Sequence, residues 1–230
     1  EMCIRDRVES SVMVDKLTAQ GLHNVIQVPN FKPIKYYPNI TTKIKEKKKL
    51  YFVFLGRIIP EKGIDYILEA ACQLNKMGLQ NKFLIDFYGK IDDSYESSFK
   101  ERVDLIPNVN YQGFLNLGEN EGYDKLSTYD MMLFPTYWKG EGFAGVFIDS
   151  FVSGVPMIVS DWAHNRQFLK ESETALFVPV HDVTALYEKM YECIEGRYDL
   201  GKMAKCCQRE AERYNAVSYT HLRAHETTLH

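Results

Sequence analysis

The sequence predicts an α/β protein built on a doubly wound parallel sheet with helices on both faces. Three observations predict it. Short runs such as Leu50–Leu55 are apolar at nearly every position, helical stripes lie between those runs, and glycine or proline stops stand at the junctions. A run that is apolar throughout, rather than at alternate positions, suits a strand covered on both faces, as in parallel sheets.

The elements follow in order. Val8 to Ala19 has loosely helical apolar spacing and stops at Gly21, and Asn24 to Val28 reads as a short strand closed by Pro29. Residues 29–49 read as a connector with three prolines and a basic run, Lys43, Lys45, Lys47, Lys48 and Lys49. That run reads as a solvated linker, with attraction to an anionic membrane face as the functional alternative. Leu50–Leu55 is the first strand of the regular pattern. Ile64, Ile67, Leu68, Ala71 and Leu74 then share one helix face between Gly63 and Gly78. Phe83–Tyr88, Asn108–Gln112, Met131–Phe134, Pro156–Val159 and Ala175–Val178 are the further strands. Helices are expected over Ser94–Arg102, Gly122–Ser127, Gly145–Val152, Thr184–Ile194 and Leu200–Tyr214.

Composition narrows the function classes. The chain has 230 residues, with 28 Lys and Arg against 31 Asp and Glu, so its charge of −3 gives no electrostatic footprint for nucleic acid. No apolar run is long enough to span a bilayer. Five cysteines without regular spacing make neither a disulfide framework nor a zinc site. A cytoplasmic globular enzyme or binding protein is the expectation.

The two ends are expected not to belong to the natural protein. Met2–Arg7 and Val217–Leu222 can be encoded by strings that are reverse complements over most of their length, and these resemble a transposase adapter used in sequencing libraries. Residues 1–7 and 216–230 are therefore read as adapter-derived, which removes Cys3, His221, His225 and His230 from any site.

In doubly wound sheets ligands bind beyond the carboxyl ends of the strands, near helix N-termini, so charge at the strand-to-helix junctions marks candidate sites. The first is Gly56-Arg57-Ile58-Ile59-Pro60-Glu61-Lys62-Gly63. Arg57 and Lys62 beside a helix start, with glycines for close backbone approach, suit a diphosphate, since Arg forks onto phosphate oxygens and Lys adds a point charge. An exposed loop with an Arg57–Glu61 pair is the other reading. The second junction runs from Phe134 through Pro135 to Glu141-Gly142-Phe143, with Asp149 eight positions after Glu141. Glu141, between two glycines, is expected to turn its carboxylate to the cleft. Asp149 is expected about two turns into the next helix, and both acids can accept hydrogen bonds from vicinal hydroxyls of sugars and ribose. His181-Asp182 reads as the cap of the following helix, and His164 as a solvated loop residue.

Taken in order, Gly-Arg-x4-Lys-Gly, Gly89 at a strand end, Pro-x5-Glu-Gly-Phe-x5-Asp and Ser153-Gly154-Val155-Pro156 resemble the retaining glycosyltransferases of family 4. More narrowly, they resemble the C-terminal, Rossmann-like, nucleotide-sugar-binding domain of the GT-B fold. The resemblance implies that residues 8–28 are the stump of an N-terminal acceptor domain, 29–49 the interdomain linker and 50–215 the donor domain. It implies that Arg57 and Lys62, beside Gly56, bind the donor diphosphate, and that Glu141 contacts the donor sugar. The backbone amides of Gly142 and Phe143 would lie near sugar and phosphate. Asp149, one methylene shorter than the family's usual Glu, would bind the ribose hydroxyls. Gly113 and Phe114 would approach the base, with Gly89 and Lys90 on the same edge.

The implied reaction moves a hexose-type unit from a nucleoside diphosphate sugar to a hydroxyl acceptor with retention. Arg57 and Lys62 would stabilise the leaving diphosphate, and Glu141 would orient the sugar. No cofactor or catalytic metal is implied. The implied partners are the nucleotide sugar and a glycan or lipid-linked acceptor held by the N-terminal domain, at the inner membrane face during polysaccharide or lipopolysaccharide assembly. A nucleotide-sugar epimerase of the same fold and a non-catalytic nucleotide-binding module are the alternatives.

Overall fold

The computed structural model describes residues 6–9, 11–28, 30–40 and 48–216. Lys43, Lys45, Lys47, Pro29 and most of the expected adapter-derived ends lie outside the described residues. Two parallel strands, β1 (Asp6–Val8) and β2 (Val25–Gln27), flank helix α1 (Ser11–Ala19). The main sheet has six strands: β3 (Leu50–Leu55), β4 (Phe83–Tyr88), β5 (Val109–Tyr111), β6 (Met131–Phe134), β7 (Met157–Ser160) and β8 (Ala175–Val178). Their order across the sheet is β5-β4-β3-β6-β7-β8, and every pair is parallel. The chain thus builds outward from β3 through β4 to β5, then returns past β3 to lay down β6, β7 and β8.

Among the described residues, seven helices cover the sheet: α2 (Ile64–Lys76), α3 (Glu96–Asp104), α4 (Asn120–Ser127), α5 (Val146–Val152), α6 (Asn165–Phe168), α7 (Val183–Ile194) and α8 (Leu200–Ala211). The apolar run of β3 is explained by this covering. Phe52 and Phe54 point to one face, against Ile67 and Leu68 of α2, Phe99 of α3 and Met190 of α7. Val53, between them, points to the other face, with Leu126 of α4, Phe147 and Phe151 of α5 and Cys207 of α8. Each such side chain taken from water contributes roughly 2 kcal/mol, which is why strand and helix positions are legible as apolar residues. Among the described residues, no helix is long and apolar enough to cross a membrane.

Between β3 and β6 the direction of winding reverses. The loops leaving those two neighbouring strands diverge to opposite faces and leave a crevice at the carboxyl edge of the sheet. These are the two junctions singled out by their charge.

Candidate functional site

Two glycines form the floor of the crevice. Gly89 follows β4 at φ +139°, and a Cβ there would lie 1.8 Å from the Gly56 carbonyl oxygen, so only glycine lets the ends of β3 and β4 come this close. Gly89 N–H donates to the Gly113 carbonyl at 2.7 Å, which brings the segment after β5 to the same edge. Above this floor opens a cleft of about 830 Å³, bordered by Gly56, Arg57, Gly89, Phe114, Tyr123 and Asp149. Phe114 is 81% exposed at its mouth, an unusual position for a phenyl ring.

The loops after β3 and β6 are clamped together beside this cleft. Tyr137 N–H donates to the Glu61 carbonyl at 2.9 Å. At Gly63 (φ +76°) a Cβ would lie 2.2 Å from the Pro135 carbonyl oxygen, so the N-terminus of α2 rests on the β6 loop. That contact carries Lys62 to Glu141. Lys62 Nζ donates to Glu141 Oε2 at 2.5 Å, with Lys62 7% and Glu141 8% exposed. The Thr136 hydroxyl donates to the same Oε2 at 2.9 Å.

The expectation that Glu141 turns its carboxylate to an open cleft is therefore corrected. The tight loop contact at Gly63 buries it against Lys62. Trp138 joins this pair to the cleft: Lys62 Nζ lies 4.6 Å and the Arg57 guanidinium 5.0 Å from its ring centroid. Both cations expected at a diphosphate thus gather around one indole, where its electron-rich π system holds them. The contemplated Arg57–Glu61 pair is replaced by this arrangement.

Asp149 is also placed differently from expectation. Helix α5 begins at Val146, one residue after the expected start, so most of the eight positions from Glu141 to Asp149 are loop and Asp149 stands in the first turn rather than two turns in. There its charge is favoured by the helix dipole. The residue is 5% exposed and its carboxylate closely partnered: Lys32 Nζ reaches Oδ1 and Oδ2 at 2.6 and 2.7 Å, and the Tyr123 hydroxyl donates to Oδ1 at 2.9 Å. Burial, and then the negative charge of Asp149, hold the Tyr123 phenol well above its ordinary value.

On the Glu-Gly-Phe segment, the Phe143 ring is core, packed among Phe147, Phe168 and Tyr214. Its amide faces outward and donates to Glu9 Oε2 at 2.9 Å, and a Cβ on Gly142 would lie 2.7 Å from that oxygen. A carboxylate thus sits on the amide where sugar or phosphate oxygen was expected.

The structure gathers Gly56, Arg57, Gly89, Phe114 and Asp149 around one cleft, with Gly113 at its edge. Lys62, Glu141, Gly142 and Phe143 lie on the adjoining loop pair. Lys32, Tyr123, Thr136, Trp138 and Glu9 were missed by sequence reasoning. Lys32 and Asp149 are 117 positions apart and Glu9 and Phe143 134 apart, so no local spacing could signal them. Trp138 and Thr136 lay inside the second junction, and the indole beside its charges was the available signal. Elsewhere, Asp182 caps α7 as expected by accepting from Ala185 N–H, whereas His181 Nδ1 pairs with the Tyr66 hydroxyl at 2.6 Å.

Comparison with known proteins gives concordant findings. Residues 38–213 match the family described as glycosyl transferases group 1. A Klebsiella pneumoniae protein described as an uncharacterized 41.2 kDa protein in the cps region is 24% identical over 178 residues, 77% of this chain and 46% of that protein. The chain spans about half the length of this curated relative. Among solved structures, Anabaena Alr3699/HepE in complex with UDP and glucose superposes with a TM-score of 0.76 at 14% identity, over 96% of this chain and 62% of that one. Sucrose-phosphate synthase from Thermosynechococcus elongatus gives 0.75 at 17% identity, over 97% and 58%. At such identities these likenesses show the fold, that of GT-B glycosyltransferase C-terminal domains.

Proposed function

The chain belongs to the glycosyl transferases group 1 family, and from that premise we propose that it is the donor-binding half of a retaining, family 4 type hexosyltransferase. The whole protein would move a sugar from a nucleoside diphosphate sugar to a hydroxyl acceptor in polysaccharide or lipopolysaccharide synthesis. The relative in a cps region supports that role. The reaction would take place in the cytoplasm at the inner membrane face, with a glycan or lipid-linked acceptor held by an N-terminal domain.

The observation that carries the reading is the gathering of Arg57 and Lys62 around Trp138, at the winding reversal and beside Glu141. When the bond from the anomeric carbon to the diphosphate oxygen breaks, its electron pair goes to the leaving oxygen. Arg57 and Lys62, brought to the diphosphate as the donor binds, stabilise that charge. No metal is required in this scheme. Glu141 accepts from a sugar hydroxyl and orients the ring, and Asp149 receives the ribose. In the unliganded protein Lys62 and Glu141 neutralise each other, and the donor separates their tasks by offering a phosphate to one and a hydroxyl to the other.

HepE, solved with UDP and glucose, supports UDP as the first nucleotide to try. Calorimetric titration of the 230-residue chain with UDP-glucose, UDP and GDP tests the proposal. Saturable binding without sugar transfer is expected of this chain alone. Absence of binding to every nucleotide, or measurable sugar transfer by this chain, contradicts it.

A further inference from the structure

We propose that Lys32, with Tyr123, contacts the ribose of the bound nucleotide directly, so that ribose is recognised by a Lys32–Asp149–Tyr123 constellation. The inference rests on the donor-binding reading above and extends it to two residues from outside the sheet junctions.

Lys32 lies in the connector before β3, yet it is held at both ends. Its backbone N–H donates to the Tyr214 carbonyl at 3.0 Å. Its ammonium spans both oxygens of Asp149. A lysine so fixed has already lost much of the rotamer freedom that binding would otherwise remove. Lys32, Tyr123 and Asp149 border the same cleft as Arg57.

The chemistry of the three groups is complementary to a vicinal diol. A carboxylate offers about four lone-pair directions, and Lys32 and Tyr123 occupy three of the contacts to Asp149. Oδ2, bonded only to Lys32 among these groups, keeps a direction for one ribose hydroxyl. The Lys32 side chain is 36% exposed, so its third N–H remains available to a ribose oxygen. The Tyr123 oxygen donates to Asp149 and keeps its lone pairs to accept from the second hydroxyl.

The test measures how far each protein prefers UDP over 2′,3′-dideoxy-UDP, with GDP and its dideoxy analogue as a second pair. The diphosphate contribution cancels in this ratio, so a merely structural or general electrostatic role for Lys32 leaves it unchanged. Wild type should prefer the ribose form. Lys32→Met should cut that preference about tenfold, as loss of one charge-assisted hydrogen bond does, and Lys32→Arg should restore most of it. Tyr123→Phe should reduce the ratio as well, and provides the reading should Lys32→Met fail to fold. An unchanged ratio in Lys32→Met and Tyr123→Phe, with UDP still bound, overturns this inference and leaves the donor site standing. Failure of wild type to bind any of the nucleotides overturns both.

Discussion

Lys62 Nζ and Glu141 Oε2 lie 2.5 Å apart, both nearly enclosed by protein, so the expected phosphate ligand and the expected sugar ligand are each other's partner before any donor arrives. Removing one partner leaves a buried charge uncompensated. Glu141→Leu is therefore expected to destabilise the fold by about 3 kcal/mol, whereas Lys62→Met with Glu141→Leu should return close to wild type. Urea unfolding of the two single variants and the double variant measures this. Additive losses in the double variant would show that the two groups are not coupled.

The floor of the cleft gives a second prediction. Gly89→Ala drives a methyl into the Gly56 carbonyl, whereas Gly78, at φ +80°, has nothing within 4 Å of its Cβ position. Gly78→Ala should cost about 1 kcal/mol, the left-handed penalty alone. Gly89→Ala should cost about 3 kcal/mol or more, because backbone must move. Thermal denaturation of the two variants separates them, and equal losses would deny the close approach.

How far these features were legible depends on the range over which each is determined. Leu50–Leu55, Phe83–Tyr88, Met131–Phe134 and Ala175–Val178 emerge as strands with the expected ends, because burial on both faces requires apolar residues. Helix starts were less exact: α3 begins at Glu96 rather than Ser94, and α1 at Ser11 rather than Val8. Val8 instead joins a strand paired with β2, a choice made by long-range pairing. The four-residue α6 has too few positions for periodicity and was missed. Charged junctions were visible because charges interrupt apolar patterns. Which charge would neutralise which was not, since Lys32–Asp149 and Lys62–Glu141 come together only on folding.

Alkaline pH should loosen the fold for a stated reason. Burial raises the Cys193 thiol from 9.0 to about 12 and the Tyr214 phenol from 10.0 to about 12. The folded state keeps these protons after the unfolded chain has released them. Their contribution is fully present below pH 9 and is lost as pH rises from about 9 to 12. Urea midpoints should fall across that window, and Cys193→Ala should flatten the first part of the fall. An identical slope in the variant would contradict the role of Cys193.

Trp138 supplies an optical signal. Trp162 Nε1 donates to the Trp138 carbonyl at 2.9 Å, so Trp162→Phe leaves a single indole beside Arg57 and Lys62. UDP should shift the emission of that variant by drawing the cations from the ring toward phosphate, and Arg57→Ala should weaken the response. A UDP complex with unchanged emission would place the diphosphate away from Trp138.

The central claim is that Arg57 and Lys62 hold a nucleoside diphosphate at the β3–β6 crevice. Calorimetry of wild type, Arg57→Ala and Lys62→Ala with UDP and GDP tests it most directly. The preferred nucleotide should lose tenfold or more in affinity in each variant, as expected when a charge-assisted phosphate contact of about 1.5–3 kcal/mol is removed. Undiminished affinity in both variants, with the fold intact, would contradict the claim.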